Sequence, residues 1–324
     1  MHSSLSYYER TTMSSPAISV TGLRKSFADH VVLDGIDLTV PEGRIFALLG
    51  PNGAGKTTTV HILATLTRPD DGSLRVGGHD PVAEPDAVRT AIGVTGQFSA
   101  VDELLTGREN LLLMADLHHL PRSEGRRIAE DLLARFDLRD AADKVAGSYS
   151  GGMTRRLDLA MTLVGEPRII FLDEPTVGLD PRSRRGMWDI IRELVADGVT
   201  IFLTTQYLEE ADQLAHRIAV LDHGRIVAEG TPEQLKRLVP GGHIRLTFGD
   251  DEQLRSAAGL LGGTTTDSTL AVPSDGGVAS LRDVLDRLGR AHIEPESLSV
   301  HTPDLDDVFL TLTGHTAPEK ETAR

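Results

Sequence analysis

Gly50-Pro51-Asn52-Gly53-Ala54-Gly55-Lys56-Thr57 is the stretch that decides the fold of this 324-residue chain. It has the spacing G-x-x-x-x-G-K-[ST] and directly follows the apolar run Ile45-Phe46-Ala47-Leu48-Leu49. Glycines so placed let backbone N–H groups turn inward as an anion-binding nest. A helix opening near Lys56 would add the positive end of its dipole at the same point. In such a loop the lysine reaches the β- and γ-phosphates of a nucleotide, and the hydroxyl of Thr57 is a ligand for Mg²⁺. A strand before the loop and a helix after it argue against a plain Gly-rich turn.

Working outward, Ile169-Ile170-Phe171-Leu172-Asp173-Glu174 is a hydrophobic strand ending in two carboxylates. Asp173 would stand near the Mg²⁺, directly or through water. Glu174 comes next, so the pleat or the start of the loop aims it differently. A carboxylate near the γ-phosphate and not committed to the metal can polarise an attacking water. Alone the pair could equally be an acidic turn; beside a phosphate loop it carries chemistry. Ser150-Gly151-Gly152 precedes the helical Arg155-Arg156-Leu157-Asp158-Leu159-Ala160. It offers a hydroxyl and bare amides at a helix start, which is either a second anion site or an ordinary N-cap.

Between Ile18 and residue 238, short β-rich runs alternate with helical stretches. Ile45–Leu49, Ile92–Val94, Ile169–Leu172, Thr200–Leu203 and Ile218–Leu221 read as buried strands of a mostly parallel sheet covered on both faces. From 101 to 164 the pattern is almost wholly helical, opened by a capping box in Thr106-Gly107-Arg108-Glu109. Composition changes at Pro240-Gly241-Gly242, read as a hinge. Ile244, Leu246 and Phe248 then alternate as in a half-buried strand. Leu281, Val284, Leu285 and Leu288 take the spacing of an amphipathic helix. So do Leu305, Val308, Phe309 and Leu312, with Thr302 as N-cap and Pro303 at the first helical position. The expected organisation is a disordered leader at 1–17, with Met13 an alternative start, and a nucleotide-binding α/β domain at 18–238. A small α+β domain at 243–313 and a flexible tail at 314–324 complete it.

Composition narrows the function classes. Basic residues number 33 and acidic ones 48, so the net charge is −15. That lacks the basic footprint of a nucleic-acid-binding domain, and aromatics at 4% leave little material for base stacking. The chain has no cysteine, which removes disulfides, thiolate metal sites and cysteine nucleophiles. No run approaches the roughly 18 apolar residues that span a bilayer. The Ser- and Thr-rich start has no apolar segment of the signal-peptide kind.

Gly50 to Thr58, Gln97, Tyr149-Ser150-Gly151-Gly152-Met153, Asp173-Glu174 and Gly178-Leu179-Asp180, in that order, resemble the ATP-binding subunit of ABC transporters. The resemblance covers 18–238 and implies a P-loop NTPase of the ABC type, a mostly parallel sheet with antiparallel strands and a helical insertion. It implies ATP and Mg²⁺ as cofactors and a head-to-tail homodimer closing on two ATP molecules. Each ATP would lie between one copy's Gly50, Pro51, Asn52, Gly53, Ala54, Gly55, Lys56, Thr57 and Thr58 and the other's Ser150, Gly151 and Gly152. By the same resemblance Phe27 stacks on adenine, Gln97 joins the Mg²⁺ site to the helical insertion, and Asp180 crosses the dimer seam.

Tyr149-Ser150-Gly151-Gly152-Met153, Gly96-Gln97-Phe98-Ser99-Ala100-Val101-Asp102 and Leu305-Asp306-Asp307-Val308-Phe309-Leu310 are similar to the daunorubicin-resistance type of these ATPases. That subgroup energises export of anthracyclines and other hydrophobic compounds with a separate integral-membrane permease. The chain would then lie peripherally on the cytoplasmic face of the membrane. Its C-terminal domain would serve assembly and communication, or be passive. Rival readings are a soluble ABC-type ATPase remodelling ribosomes, DNA or a protein assembly, a nucleotide sensor without turnover, or an exporter of lipids or glycolipids. The lone nucleotide domain disfavours the first, and intact Lys56, Thr57, Asp173 and Glu174 disfavour the second.

Two positions depart from the commonest pattern. Most such ATPases carry a histidine where this chain has Gln206, in Thr204-Thr205-Gln206-Tyr207. Glutamine offers two N–H donors but takes up no proton, so Gln206 is expected to hold the γ-phosphate by hydrogen bonding. His216 lies too far along the following helix to substitute. Met153 replaces a glutamine, and a thioether donates no hydrogen bond.

Overall fold

The computed structural model describes residues 16–97, 99–239, 242–274, 277–301 and 304–314. Residues 1–15 of the expected leader, Met13 among them, lie outside the described residues. So do Phe98, Pro240-Gly241 of the expected hinge, Thr302, Pro303 and the tail beyond Gly314. The chain divides into two compact units between Glu229 and Gly230. That is ahead of 238–243, where composition changes. The reason is that the short helix Pro232–Lys236 already packs on the helix Leu305–Thr313 of the second unit.

A six-stranded sheet organises the first unit. Its spatial order is Ile92–Thr95, Ile169–Asp173, Thr200–Thr205, Ile45–Leu49, Arg217–Asp222, Arg225–Gly230. The first five pair in parallel. The last is joined by the two-residue turn His223-Gly224, whose φ values of 45 and 73° fit a tight antiparallel hairpin. Ile45–Leu49, Ile169–Asp173 and Thr200–Thr205 are buried along their whole length, which is why they read as unbroken apolar runs. Phe46 and Phe202 stack at 5.5 Å between centroids, and Phe171 meets Phe202 at 5.6 Å. The reading of Ile92–Val94 as a buried strand needs correction. It has a single neighbour at the sheet edge, and Val94 is 37% exposed.

His30–Val40, Ile18–Phe27 and Asp71–Val76 form a second, antiparallel sheet that shares a hydrophobic core with the first. Register shifts at Leu23 and Lys25 break its alternation, so the sequence pattern gives it no clean strand signal. The turn Ala28-Asp29 puts Phe27 at the end of its strand, opposite His30. The insertion is helical as expected, with helices Gly107–Leu117, Arg122–Arg135 and Gly151–Thr162. Its capping box is present: the Thr106 hydroxyl accepts the Glu109 N–H at 3.1 Å, and Glu109 Oε2 accepts the Thr106 N–H at 2.8 Å.

The second unit is a four-stranded antiparallel sheet in the order Thr264–Thr266, Thr269–Pro273, His243–Thr247, Ser297–His301. Helices Asp251–Leu261 and Val278–Arg290 cover a core that includes Ile244, Leu246, Phe248, Leu254, Val284 and Leu288. Leu285, expected on the inner face of its helix, is 47% exposed; Val284 and Leu288 already fill the narrow stripe that meets the sheet. The helix Leu305–Thr313 is capped by Asp304, in a reciprocal box with Asp307, in place of the expected Thr302. Leu305, Val308 and Phe309 are buried. Among the described residues no helix is long and apolar enough to cross a membrane.

Candidate functional site

The phosphate loop leaves the carboxyl end of Ile45–Leu49, at the centre of the parallel sheet, and runs into the helix Lys56–Leu63. Gly50 donates its N–H to the Thr205 carbonyl at 3.3 Å, tying the loop to the neighbouring strand. A Cβ at Gly50 would stand 2.3 Å from the Leu221 carbonyl oxygen. Gly55 has φ of 108°, and a Cβ there would meet Leu33 Cδ2 at 2.5 Å. Both positions therefore demand glycine. Gly55 caps the helix without a side chain, and the first turn holds no acidic residue. The opening N–H groups are thus left for an external anion.

Lys56 is folded back into this loop. Its Nζ donates to the Gly50 carbonyl at 2.9 Å and the Pro51 carbonyl at 3.1 Å, and lies 3.3 Å from Glu174 Oε1. Burial pulls the ammonium below the usual lysine range, opposed by the Glu174 and Asp173 carboxylates. The buried Asp173 accepts a hydrogen bond from the Thr204 hydroxyl on Oδ1. Glu174 has φ of 49°, the left-handed region, and its N–H donates to the Thr204 carbonyl at 3.1 Å. That turn, more than the pleat, aims Glu174 away from Asp173 and toward Lys56.

Lys56 and Glu174 border a cleft of about 450 Å³, lined also by Phe27, Val32, Asn52, Gly53, Gly55, Thr57, Thr58 and Gln97, within the size range of small-molecule sites; Asp173 is not among its lining residues. Phe27 is 51% exposed and is backed by Lys25 Nζ, 5.1 Å from the ring centroid. Lys25 is in turn held by Asp70 at 2.7 Å. Val32 is a lining residue with no signal in the sequence. Thr57 and Gln97 on the lining, and the buried Asp173 off it, carry hard oxygens of the kind that suits Mg²⁺. Among the described residues no cluster of three or more His, Cys, Asp or Glu side chains could hold a metal alone. A cation sharing these few ligands with phosphate oxygens fits that donor set.

Other expected residues lie away from the cleft lining. Gly50, Pro51 and Ala54 form the back of the loop. Gln206 follows Thr205, whose carbonyl accepts from Gly50, and is half-buried with no side-chain hydrogen bond among the described residues. His216 takes the Ile45 N–H on Nδ1 at 3.1 Å, at the opposite end of that strand from the loop.

Ser150 is the N-cap of Gly151–Thr162, its hydroxyl accepting the Met153 N–H at 3.3 Å. Gly152 packs on the start of the helix Pro181–Ala196, where an added Cβ would meet Ser183 Oγ at 2.6 Å. Asp180 caps that helix: Oδ1 accepts the Arg182 and Ser183 N–H groups at 2.9 Å, and Oδ2 the Ser183 hydroxyl at 2.7 Å. These bonds hold its carboxyl below the usual range. Beneath this stretch, fully buried Glu210 accepts from Thr176 Oγ1 at 2.8 Å and Trp188 Nε1 at 3.1 Å. Burial pushes its carboxyl up, against those hydrogen bonds and one from Thr205. Sequence reasoning had no signal for Glu210.

A family model described as ABC transporter matches residues 33–177. The chain is 50% identical over 316 residues to the daunorubicin resistance ATP-binding protein DrrA3 of Streptomyces coeruleorubidus, covering 96% of this chain and all of that one. It belongs to the ATP-binding subunits of ABC transporters. Within that family it falls in the daunorubicin-resistance group. It is also 48% identical over 319 residues to the daunorubicin/doxorubicin resistance ATP-binding protein DrrA of Streptomyces peucetius, covering 96% of each. A solved ATP-binding subunit of an ABC transporter superposes with a TM-score of 0.62 at 28% identity, over 68% of this chain and 92% of that one. The α/β class with a mixed sheet is therefore the ABC ATPase fold. As a member of this family the chain binds ATP and is an ATPase, and such subunits work with membrane permease components.

Proposed function

We propose that this ATPase energises export of hydrophobic small molecules of the anthracycline class through a separate permease. The chain would work as a homodimer, peripheral to the cytoplasmic face of the membrane and without a nucleic-acid partner. The observation that carries the substrate class is full-length identity, second unit included, to relatives named for daunorubicin and doxorubicin resistance. In this reading the second unit serves assembly with the permease.

Catalysis is phosphoryl transfer to water, achieved chiefly by positioning and charge stabilisation. The loop amides and Lys56 hold the β- and γ-phosphates, and Phe27 stacks on the base. Thr57, Gln97 and Asp173 would hold Mg²⁺, which would supply neutralisation of the charge on the transferring phosphoryl group. Glu174 orients the attacking water, and Gln206 donates its amide N–H to the γ-phosphate. The Lys56–Glu174 ion pair must open for this, freeing each group for its own partner. The second copy would bring Ser150, Gly151 and Gly152 over the γ-phosphate and Asp180 across the seam.

Co-purification of the tagged chain from membranes identifies the permease. ATPase assays on that complex with anthracyclines, other lipophilic antibiotics and glycolipids then test the substrate. Stimulation by anthracyclines is the expected result. Stimulation by glycolipids alone would transfer the assignment to lipid export, and the lack of any integral-membrane partner would revive a soluble remodelling ATPase.

A further inference from the structure

Arg155 lies in the helix Gly151–Thr162, just past the Ser150-Gly151-Gly152 start, with its side chain 12% exposed. Its guanidinium is spread over main-chain carbonyls from two distant loops. Nε donates to the Pro175 carbonyl at 2.9 Å, and Nη1 to the Gly96 carbonyl at 2.9 Å. Nη2 donates to the carbonyls of Asp173 at 3.1 Å and Glu174 at 3.3 Å. The counter-ion is buried Asp158, whose Oδ2 accepts from Nη1 at 3.3 Å and whose Oδ1 accepts the Ala100 N–H at 3.0 Å. The ion pair therefore grips the chain on both sides of Gln97 and across Glu174.

A buried guanidinium recovers its lost hydration only when its rigid fork of N–H donors is well matched by acceptors. That fork fixes the spacing of every carbonyl it binds. Glu174 needs such restraint, because a non-glycine residue in the left-handed region is strained and persists only where its surroundings over-determine it. Thr204 holds the Glu174 N–H and Arg155 holds its carbonyl. Without Arg155 the turn can relax, and the carboxylate at its end swings with it.

We propose that Arg155, paired with Asp158, is a positioning residue for ATP hydrolysis that keeps the Glu174 carboxylate and the Gln97 loop in register across the cleft. It touches no nucleotide itself. Since it belongs to the helix that opens at Ser150, it also links the reacting groups of one copy to the surface offered to the other. The inference rests on reading Glu174 as the residue that orients water.

The test uses the purified full-length chain as wild type, Arg155→Lys, Arg155→Gln and the control Glu174→Gln. Lysine keeps the charge as a single point donor, and glutamine keeps some hydrogen bonding at lower burial cost. Steady-state ATPase is read against ATP and against Mg²⁺, with binding of a fluorescent ATP analogue in EDTA and thermal melting alongside. Both Arg155 variants are expected to lose about 30- to 100-fold in kcat. KM and EDTA binding should stay within about threefold, and half-maximal activity should need more Mg²⁺. Turnover within about twofold of wild type in either variant overturns the proposal. So does a loss of kcat that merely tracks weaker analogue binding and a lower melting temperature. Wild type that binds nucleotide without hydrolysing it, or an active Glu174→Gln, overturns the reading of Glu174 and the proposal with it.

Discussion

The phosphate loop and the Ser150-Gly151-Gly152 turn are both glycine-rich helix starts, yet they are built for opposite situations. The loop is embedded: Lys56 is buried, Gly50 and Gly55 are hemmed in by neighbouring strands, and the helix has no cap of its own. The Ser150 turn is closed on itself, with a side-chain N-cap and open space at Gly151, where the nearest atom to an added Cβ is Leu179 Cδ2 at 4.0 Å. An uncapped start surrounded by its own chain can bind an anion alone. A capped, outward start has its first donor already satisfied, which fits the role proposed above, in which a second copy would bring this turn to the nucleotide.

The strongest way to break that comparison is Glu174→Gln, which removes the carboxylate proposed to orient water and leaves the loop intact. Expected is a fall in kcat of about 10²- to 10⁴-fold with nucleotide binding retained and ATP-bound dimers accumulating in size-exclusion chromatography. Near-normal turnover would show that the embedded region is not where chemistry occurs. A paired substitution separates the two glycines of the outward turn. Gly151→Ala should fold normally yet weaken ATP-dependent dimerisation about tenfold. Gly152→Ala should cost about 1–3 kcal/mol in stability, because the new Cβ collides with Ser183. Equal effects on dimerisation and melting for both would dissolve the distinction.

Gln206 extends the comparison to the strand beside the loop. Gln206→Ala should lower permease-coupled ATPase about tenfold, the lower end of the worth of one hydrogen bond to a charged group. Full coupled activity would remove it from the site. The smallest effect belongs to Glu210, under the stretch that joins Glu174 to Asp180. Its carboxyl is raised by burial, so the folded state holds the proton more tightly than the unfolded chain does. Its contribution to stability is full below the ordinary carboxylate range and is lost as pH rises through the raised value. Glu210→Gln cannot ionise. Its melting temperature should fall less than that of wild type between pH 5 and pH 8, by about 2–4 °C. A variant that melts in parallel with wild type across that range would mean the buried carboxyl is not protonated.

What could be read in advance divides along the same line. The phosphate loop, the Asp173-Glu174 strand end and the capping box at Thr106 are contiguous stretches, so their residue types carry the signal. The antiparallel sheet that delivers Phe27 escaped a strand-by-strand reading because its register slips at Leu23 and Lys25. Arg155 was legible only as a helical residue. Its partners are carbonyls of Gly96, Asp173, Glu174 and Pro175, and a carbonyl leaves no trace in the letters of a sequence. Leu285 failed for a different reason, since helical spacing says which residues share a face but not how wide a stripe the neighbour covers.

The cleft has one further consequence. In the reading proposed above Phe27 would meet the base of a bound nucleotide with a ring face, while most polar groups lining the cleft belong to the phosphate loop and its helix or, like Glu174, touch Lys56. A ring face registers flatness and polarisability, which every purine offers in similar measure, and is blind to the donors and acceptors on a base edge. The protein would therefore grip the triphosphate firmly and the base loosely. Which purine nucleotide occupies it would follow from the relative abundance of ATP and GTP around it, making its fuel a property of the cell's metabolic state.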